Sequence, residues 1–258
     1  MKNTTRRRLA GLSLGLLLLL PSCIKRDSGK ESYLYPTVTY SYHTTVNESN
    51  LTTGLDATYL YLANKQHPVS ESYDPGTLVT ISASYTHKTN ITLEERTAQA
   101  LYAMMDEMRS DGISDVWVTS AYRNFAYQNY LYELYISQEM GRNSSLTREE
   151  AMKIVETYSA PPGYSEHQTG FVVDFITSTM SDLDESFENT AAFGWLAANC
   201  WRFGFILRYP KSADKVAITG YNYEPWHYRF VGREAATEIM KRGITLEEFL
   251  ALDFEQTK

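Results

Sequence analysis

Five histidines occur in the 258 residues: His43, His67, His87, His167 and His227. Two of them stand in company that could do chemistry. The first lies in Ser165-Glu166-His167-Gln168-Thr169-Gly170, which follows a Pro-Pro-Gly break and runs into the apolar stretch FVVDFI. Asp174 sits inside that stretch, where a carboxylate costs several kcal/mol, on the order of the penalty for any unpaired buried charge, unless it is paired or binds a metal. Gly170 permits a sharp turn, so His167 and Asp174 could face one point. The second is Tyr223-Glu224-Pro225-Trp226-His227-Tyr228. Strand alternation would point Glu224 and His227 apart; Pro225 interrupts regular pairing and could bring both to one centre. His167, Asp174 and His227 would then form a two-histidine, one-carboxylate set. Three protein ligands and an open fourth position are the pattern of catalytic rather than structural zinc. Glu224 would take a proton from the activated water and pass it to a leaving amine. Read singly, His167 is more often a hydrogen-bonded loop histidine than a ligand, Asp174 could cap a turn or pair with an arginine, and Glu224 could be a surface acid on a strand; the set is what points to chemistry.

The elements that must position these residues follow from periodicity. TYLYLANK, from Thr58, reads as a short strand by its aromatic content. A helix is expected over Leu93–Arg109, with Thr92 followed by Glu94 and Glu95 as its N-terminal signal. VWVTS (116–120) alternates as a strand. Helices are expected over Ala126–Met140 and over Thr147–Tyr158, the latter opened by the capping box TREE. Phe171–Ile176 reads as a buried strand and Asn189–Phe203 as a helix stopped by Gly204. Phe205–Tyr209 and Tyr221–Phe230 read as strands, and Arg233–Lys241 and Thr245–Leu252 as terminal helices. Strands and helices mix without βαβ regularity, which implies an α+β fold: a small, mainly antiparallel sheet with helices around it and the metal at one sheet face.

The N-terminus reads as an address. A basic segment from Lys2 to Arg8 precedes an apolar run from Leu9 to Leu20, the length of a signal-peptide core and short for a membrane span. It ends in Leu20-Pro21-Ser22-Cys23, which resembles a bacterial lipobox, with cleavage before Cys23 and acylation of its thiol. Residues 1–22 are thus expected to be a signal peptide, 23–57, rich in Ser, Thr, Asn and Tyr, a tether from a lipid anchor on Cys23, and 58–258 the catalytic domain. That places the domain at the extracytoplasmic face of a bacterial cell membrane. Cys200 is the one other thiol, so no disulfide framework is expected, and Cys200 reads as a small buried hydrophobe. The net charge is −7, and the first 22 residues hold four of the 24 basic side chains and no acid. So acidic a remainder is a poor nucleic-acid binder. A monomer is the default expectation.

The two segments carry a family resemblance. SEHQTGFVVD resembles the SxHxxGxAxD motif, with Val172 where the pattern has Ala, and EPWH resembles the ExWH motif of the VanY-type D-alanyl-D-alanine carboxypeptidases. These group with D-Ala-D-Ala dipeptidases, lysostaphin-type enzymes and the hedgehog signalling domain. YLANKQHPVSESYDP, SAYRNFAYQ and GFILRYP extend the likeness over Tyr59–Gly232. The resemblance implies zinc on His167, Asp174 and His227, with Glu224 as the acid/base and Trp226 as packing beside a ligand. It implies that Arg123, from the SxYR segment, meets the substrate's carboxylate or carbonyl, as a bidentate cation suits; the plainer reading is a helix-start charge paired with a nearby acid. Ser120, Gln128 and Ser165 match pocket positions in relatives, and Arg208 and Tyr209 lie close to the motif without a role. The implied substrates are peptidoglycan stem peptides, trimmed of a terminal D-Ala by D,D- or L,D-cleavage. A zinc endopeptidase of the same group and a non-catalytic wall-binding lipoprotein are the alternatives; Arg123 favours the first of the three, and an intact Glu224 speaks against the last.

Overall fold

The computed structural model describes residues 40–252. The expected signal peptide and Cys23 lie outside the described residues. In chain order, a hairpin of β1 (Leu78–Thr80) and β2 (Thr92–Glu94) leads into helix α1 (Glu95–Ser110) and strand β3 (Trp117–Ser120). Helices α2 (Phe125–Arg142) and α3 (Arg148–Val155) follow, then β4 (Val172–Ile176), α4 (Ala191–Asn199) and β5 (Phe205–Leu207). The described chain continues through α5 (Ala213–Thr219), β6 (His227–Phe230), α6 (Arg233–Arg242) and α7 (Leu246–Leu250). The four-stranded sheet runs β3-β4-β6-β5, with every neighbouring pair antiparallel. This is the α+β arrangement expected.

Period-two alternation divides the sheet into an apolar face and a charged face. Val118, Val173, Phe175, Phe205, Tyr228 and Phe230 enter one core. Their neighbours Asp174, His227 and Arg229 point the other way, and the register sets Asp174 opposite His227 and Val172 opposite Arg229. Helix α1 closes the apolar face. Its Ala98, Leu101, Met104, Met105 and Met108 recur at helical spacing and are fully buried in that core. At the end of a 3-10 turn, Gly204 reverses the chain into β5 at φ 84°; a Cβ there would lie 2.6 Å from the Phe230 ring, so only glycine fits. Helix α3 begins with the capping box expected, Thr147 and Glu150, and packs on α2 through Tyr132, Ile136, Ala151 and Val155.

Several expectations change. TYLYLANK forms turns and an isolated Asn64–His67 bridge, not a strand. Helix α1 is capped by the Glu94 carboxylate, which accepts from Arg96 N and Thr97 N, while Thr92 belongs to β2. Of the strand expected over Tyr221–Phe230 only His227–Phe230 pairs. The helix expected over Asn189–Phe203 divides into α4 and a 3-10 turn over Cys200–Phe203. The β1–β2 hairpin and α5 were not anticipated.

The tether reading for 23–57 also gives way where it can be seen, because residues 40–57 are built into the domain. Tyr42 packs on Phe203 and Tyr40 on Trp201, and Leu51 is fully buried. The Glu107 carboxylate of α1, buried, accepts the His43 and Thr44 backbone N–H groups at 2.8–2.9 Å. A polar-looking, tyrosine-rich stretch is held because a distant acid satisfies its backbone. No helix among the described residues is long and apolar enough to cross a membrane.

Candidate active site

Four local structures converge on the charged face of the sheet. A 3-10 turn over Glu166–Thr169 carries His167. Gly170, at φ 81°, then turns the chain into β4, and a Cβ there would crowd Pro75 and Glu94. Asp174 follows on β4. The loop before β6 folds as a turn, with His227 N donating to Glu224 O at 3.2 Å. This turn, rather than strand alternation, brings Glu224 and His227 to one centre. Arg123 ends the loop after β3, its N–H donating to His167 O at 3.1 Å.

His167, Asp174 and His227 are buried, and one potential ligand atom from each lies within 4.8 Å of the others. His167 Nε2 is 3.1 Å from Asp174 Oδ2, and His227 Nδ1 is 3.1 Å from Asp174 Oδ1. Zinc bonds of 2.0–2.1 Å in a tetrahedron separate ligand atoms by about 3.4 Å, so the residue types and their spacing fit that ion once the set draws together around it. Asp174 Oδ1, buried, has no hydrogen-bond partner among the described residues, which is the state of a ligand atom. The nitrogen each ring offers differs. His167 Nδ1 donates to Ala121 O at 2.6 Å, which leaves Nε2 as the free lone pair. His227 instead presents Nδ1, 3.4 Å from Glu224 Oε2.

The electrostatics agree with a site built for a cation. Asp174 is buried, yet the two imidazoles hold its carboxyl well below the usual range. Burial, with Arg123 adding to it, pushes His167 down to about 4. Burial opposes the charged form of His227 too, but the neighbouring carboxylates of Asp174, Glu166 and Glu224 outweigh it and raise the ring to about 9. Burial lifts Glu224 to about 7; a divalent cation nearby would favour its ionised form. With metal stripped, His227 therefore carries a proton at neutral pH. Zinc uptake at pH 7.5 is expected to release about one proton, read by calorimetry in buffers of different ionisation enthalpy, and fewer above pH 9. The raised His227 value also stabilises the stripped domain fully below about pH 6.5, its unfolded value. That contribution is lost as pH climbs through about 9, and zinc-loaded protein should lack this alkaline decline.

A cavity of about 350 Å³ opens on the set. Arg123, Ser165, Glu224, Trp226 and Tyr209 line it, with Tyr135, Gln138 and Arg142 of α2. Arg123 makes no ion pair among the described residues, and its buried Nε lacks a hydrogen-bond partner; the paired helix-start reading fails. Gln128 and Ser120 do not line the cavity. Gln128 lies behind the wall, donating to Ala160 O at 2.7 Å, and Ser120 pairs with Asp174 in the sheet register. Cys200 is buried in the core, its thiol pushed up to about 12 by that burial. The Tyr209 ring packs 4.7 Å from the His227 ring.

Two functional candidates, Glu166 and Arg229, were missed in the sequence, and Arg208 was noted there without a role. Glu166 is buried between Arg208, whose Nε donates at 2.8 Å, and Arg229, whose Nη1 donates at 2.9 Å. Arg208 also forks onto Glu247 at 2.6 and 2.9 Å. The signal was present: Arg208 and Arg229 fall in the apolar runs FILRYP and HYRFV, where an arginine is as costly as Asp174 unless paired.

Comparison with known proteins agrees with this geometry. The family model described as VanY, D-alanyl-D-alanine carboxypeptidase, matches residues 90–233. A D-alanyl-D-alanine carboxypeptidase of Enterococcus faecalis is 36% identical over 195 residues, 74% of this chain and 65% of the relative. A crystal structure of a mutant vancomycin-resistance D,D-pentapeptidase VanY, from a VanB-type cassette and in complex with Zn(II), superposes with TM-score 0.62 at 35% identity. It covers 75% of this chain and 99% of that one. The structure of the LD-carboxypeptidase LdcB gives TM-score 0.62 at 33% identity, over 73% and 84% of the two chains. The chain belongs to the VanY family of D-alanyl-D-alanine carboxypeptidases.

Proposed function

We propose that this protein is a zinc carboxypeptidase that removes the terminal D-Ala from peptidoglycan stem peptides. The observation that carries this reading is a buried two-histidine, one-carboxylate set facing a cavity that also holds Glu224 and an unpaired Arg123. Zinc, when bound by His167, Asp174 and His227, supplies Lewis acidity that activates water and polarises the scissile carbonyl. Glu224 takes the proton of the attacking water and delivers it to the departing D-Ala amine. Arg123 receives the substrate's terminal carboxylate or steadies the oxyanion as charge develops. A cavity of this size, with a cation awaiting a carboxylate, suits an exopeptidase better than an endopeptidase.

The test is incubation with stem peptides ending in D-Ala-D-Ala and in L-Lys-D-Ala, with and without a zinc chelator. Release of one D-Ala that stops with chelator and returns with zinc supports the reading, and the preferred peptide decides between D,D- and L,D-cleavage. Zinc binding without release from either peptide would refute it. Arg123→Ala should lower kcat/KM by about 10- to 100-fold, the worth of a hydrogen bond to a charged group. It should also abolish discrimination between a free C-terminal carboxylate and its amide; unchanged discrimination removes Arg123 from carboxylate binding.

The enzyme is further proposed to act as a monomer, anchored by lipid on Cys23 at the extracytoplasmic face of the bacterial membrane. The basic segment, the apolar run and the lipobox-like LPSC support the anchor, and the monomer is the default state. Mass analysis of the protein from the membrane fraction should find Cys23 as the first residue and acylated; an unacylated Cys23 there would exclude the anchor.

A further inference from the structure

The two imidazoles of the site offer opposite nitrogens, and so need opposite tautomers. His167 obtains its tautomer from a backbone carbonyl, which can only accept: Nδ1 donates to Ala121 O at 2.6 Å. His227 has no such carbonyl. Its Nδ1 faces Asp174 and Glu224, at 3.1 and 3.4 Å, while its Nε2 points to the opposite side, 3.6 Å from Glu166 Oε2. Nε2 and Oε2 are both buried, and neither has a hydrogen-bond partner within 3.5 Å among the described residues. Two orphaned polar atoms that face each other across 3.6 Å are a donor and an acceptor waiting for a small closing movement.

We propose that Glu166 is the positioning residue of His227: its Oε2 accepts the Nε2 proton and thereby turns the Nδ1 lone pair into the metal site. The assignment rests on the metal reading above. A carboxylate is acceptor-only, so it admits one tautomer. Its own orientation is fixed because Oε1 is taken by Arg208 Nε and Arg229 Nη1. Arg208 is in turn held by Glu247, and Arg229 by the carbonyls of Tyr59 and Tyr61, at 3.0 and 2.8 Å. Two cations and two carboxylates make this network neutral, so Glu166 brings negative charge to the ring without leaving an unbalanced charge in the interior. An anionic partner at the far nitrogen also raises the ligand's basicity.

The substitution Glu166→Gln separates positioning from filling. Facing two arginine donors, the amide must turn its oxygen to them, which leaves its NH2 toward His227 Nε2. That forces the ring to accept at Nε2 and to carry its proton at Nδ1, the wrong tautomer for binding. Zinc affinity, measured by competition with a chelator, should fall by about 10- to 100-fold. Glu247→Gln, which also loosens Arg208 but does not touch the ring, should leave zinc affinity within about twofold. If both variants lose zinc equally at equal loss of thermal stability, Glu166 is structural only and the proposal falls. Should Glu166→Gln not fold, long-range 1H–15N spectra of zinc-loaded wild-type protein decide. A protonated His227 Nε2 with metal on Nδ1 supports the proposal; metal on Nε2 overturns it while leaving the carboxypeptidase reading intact. Wild-type protein that binds no zinc overturns that reading, and this inference with it.

Discussion

Glu224→Ala should retain zinc and lose turnover by about 10³-fold, within the range that a positioned general acid–base supplies. Zinc content by metal analysis should equal that of wild type, because Glu224 is a neighbour of the ligand set and not a member of it. The substitution should not lower thermal stability. Burial has already pushed the Glu224 carboxyl to about 7, so the side chain is held against its preference, as groups kept for chemistry often are. His167→Ala should differ on the first count, losing zinc and turnover together. Retained turnover in Glu224→Ala would remove that residue from its role, and unchanged zinc in His167→Ala would remove the ligand assignment.

The second large effect concerns stability. Arg229→Ala should destabilise the domain by about 3–5 kcal/mol, the usual result of removing one partner from a buried ion network. For a domain of this size that is on the order of 10 °C in melting temperature. Arg229 is fully buried and holds three regions at once. It meets Glu166 beside the ligand turn, the carbonyls of Tyr59 and Tyr61, and, through its Nε, the carbonyl of Phe230 at 3.0 Å. Removal strands each acceptor in the interior. Arg229→Lys should recover little, since one ammonium cannot span the fork of contacts that the guanidinium makes. Thermal melts of the three proteins, with and without added zinc, check this; a shift under about 3 °C for Arg229→Ala would mean the network contributes little to folding.

The residues on the charged sheet face explain why the site was partly legible beforehand. Asp174 and His167 could be picked out because a carboxylate in FVVDFI and a histidine beside a glycine turn conflict with local apolar patterning. That conflict needs no partner to be visible. Glu224 and His227 were harder. Alternation along a continuous strand puts them on opposite faces, and only a turn closed by His227 N on Glu224 O reverses that. Arg208 and Arg229 conflict with their surroundings as Asp174 does, but their meaning lies in Glu166 and Glu247, 42 and 39 residues from Arg208 along the chain.

What the sequence by itself determined is therefore the order of most helices and strands, the apolar face of the sheet, and His167 and Asp174 as candidate ligands, because each rests on local periodicity or on a polar residue out of place; His227 joined that candidate set through the family resemblance. What only the tertiary structure decided is which nitrogen each histidine offers, which acid orients His227, where Gln128 lies, and that residues 40–57 belong to the domain. These depend on groups tens of residues away, such as Glu107 beneath His43 and Thr44 or Ala121 O beside His167. A hydrogen bond of about 3 Å is specified by the meeting of two distant segments, and no local pattern encodes that meeting.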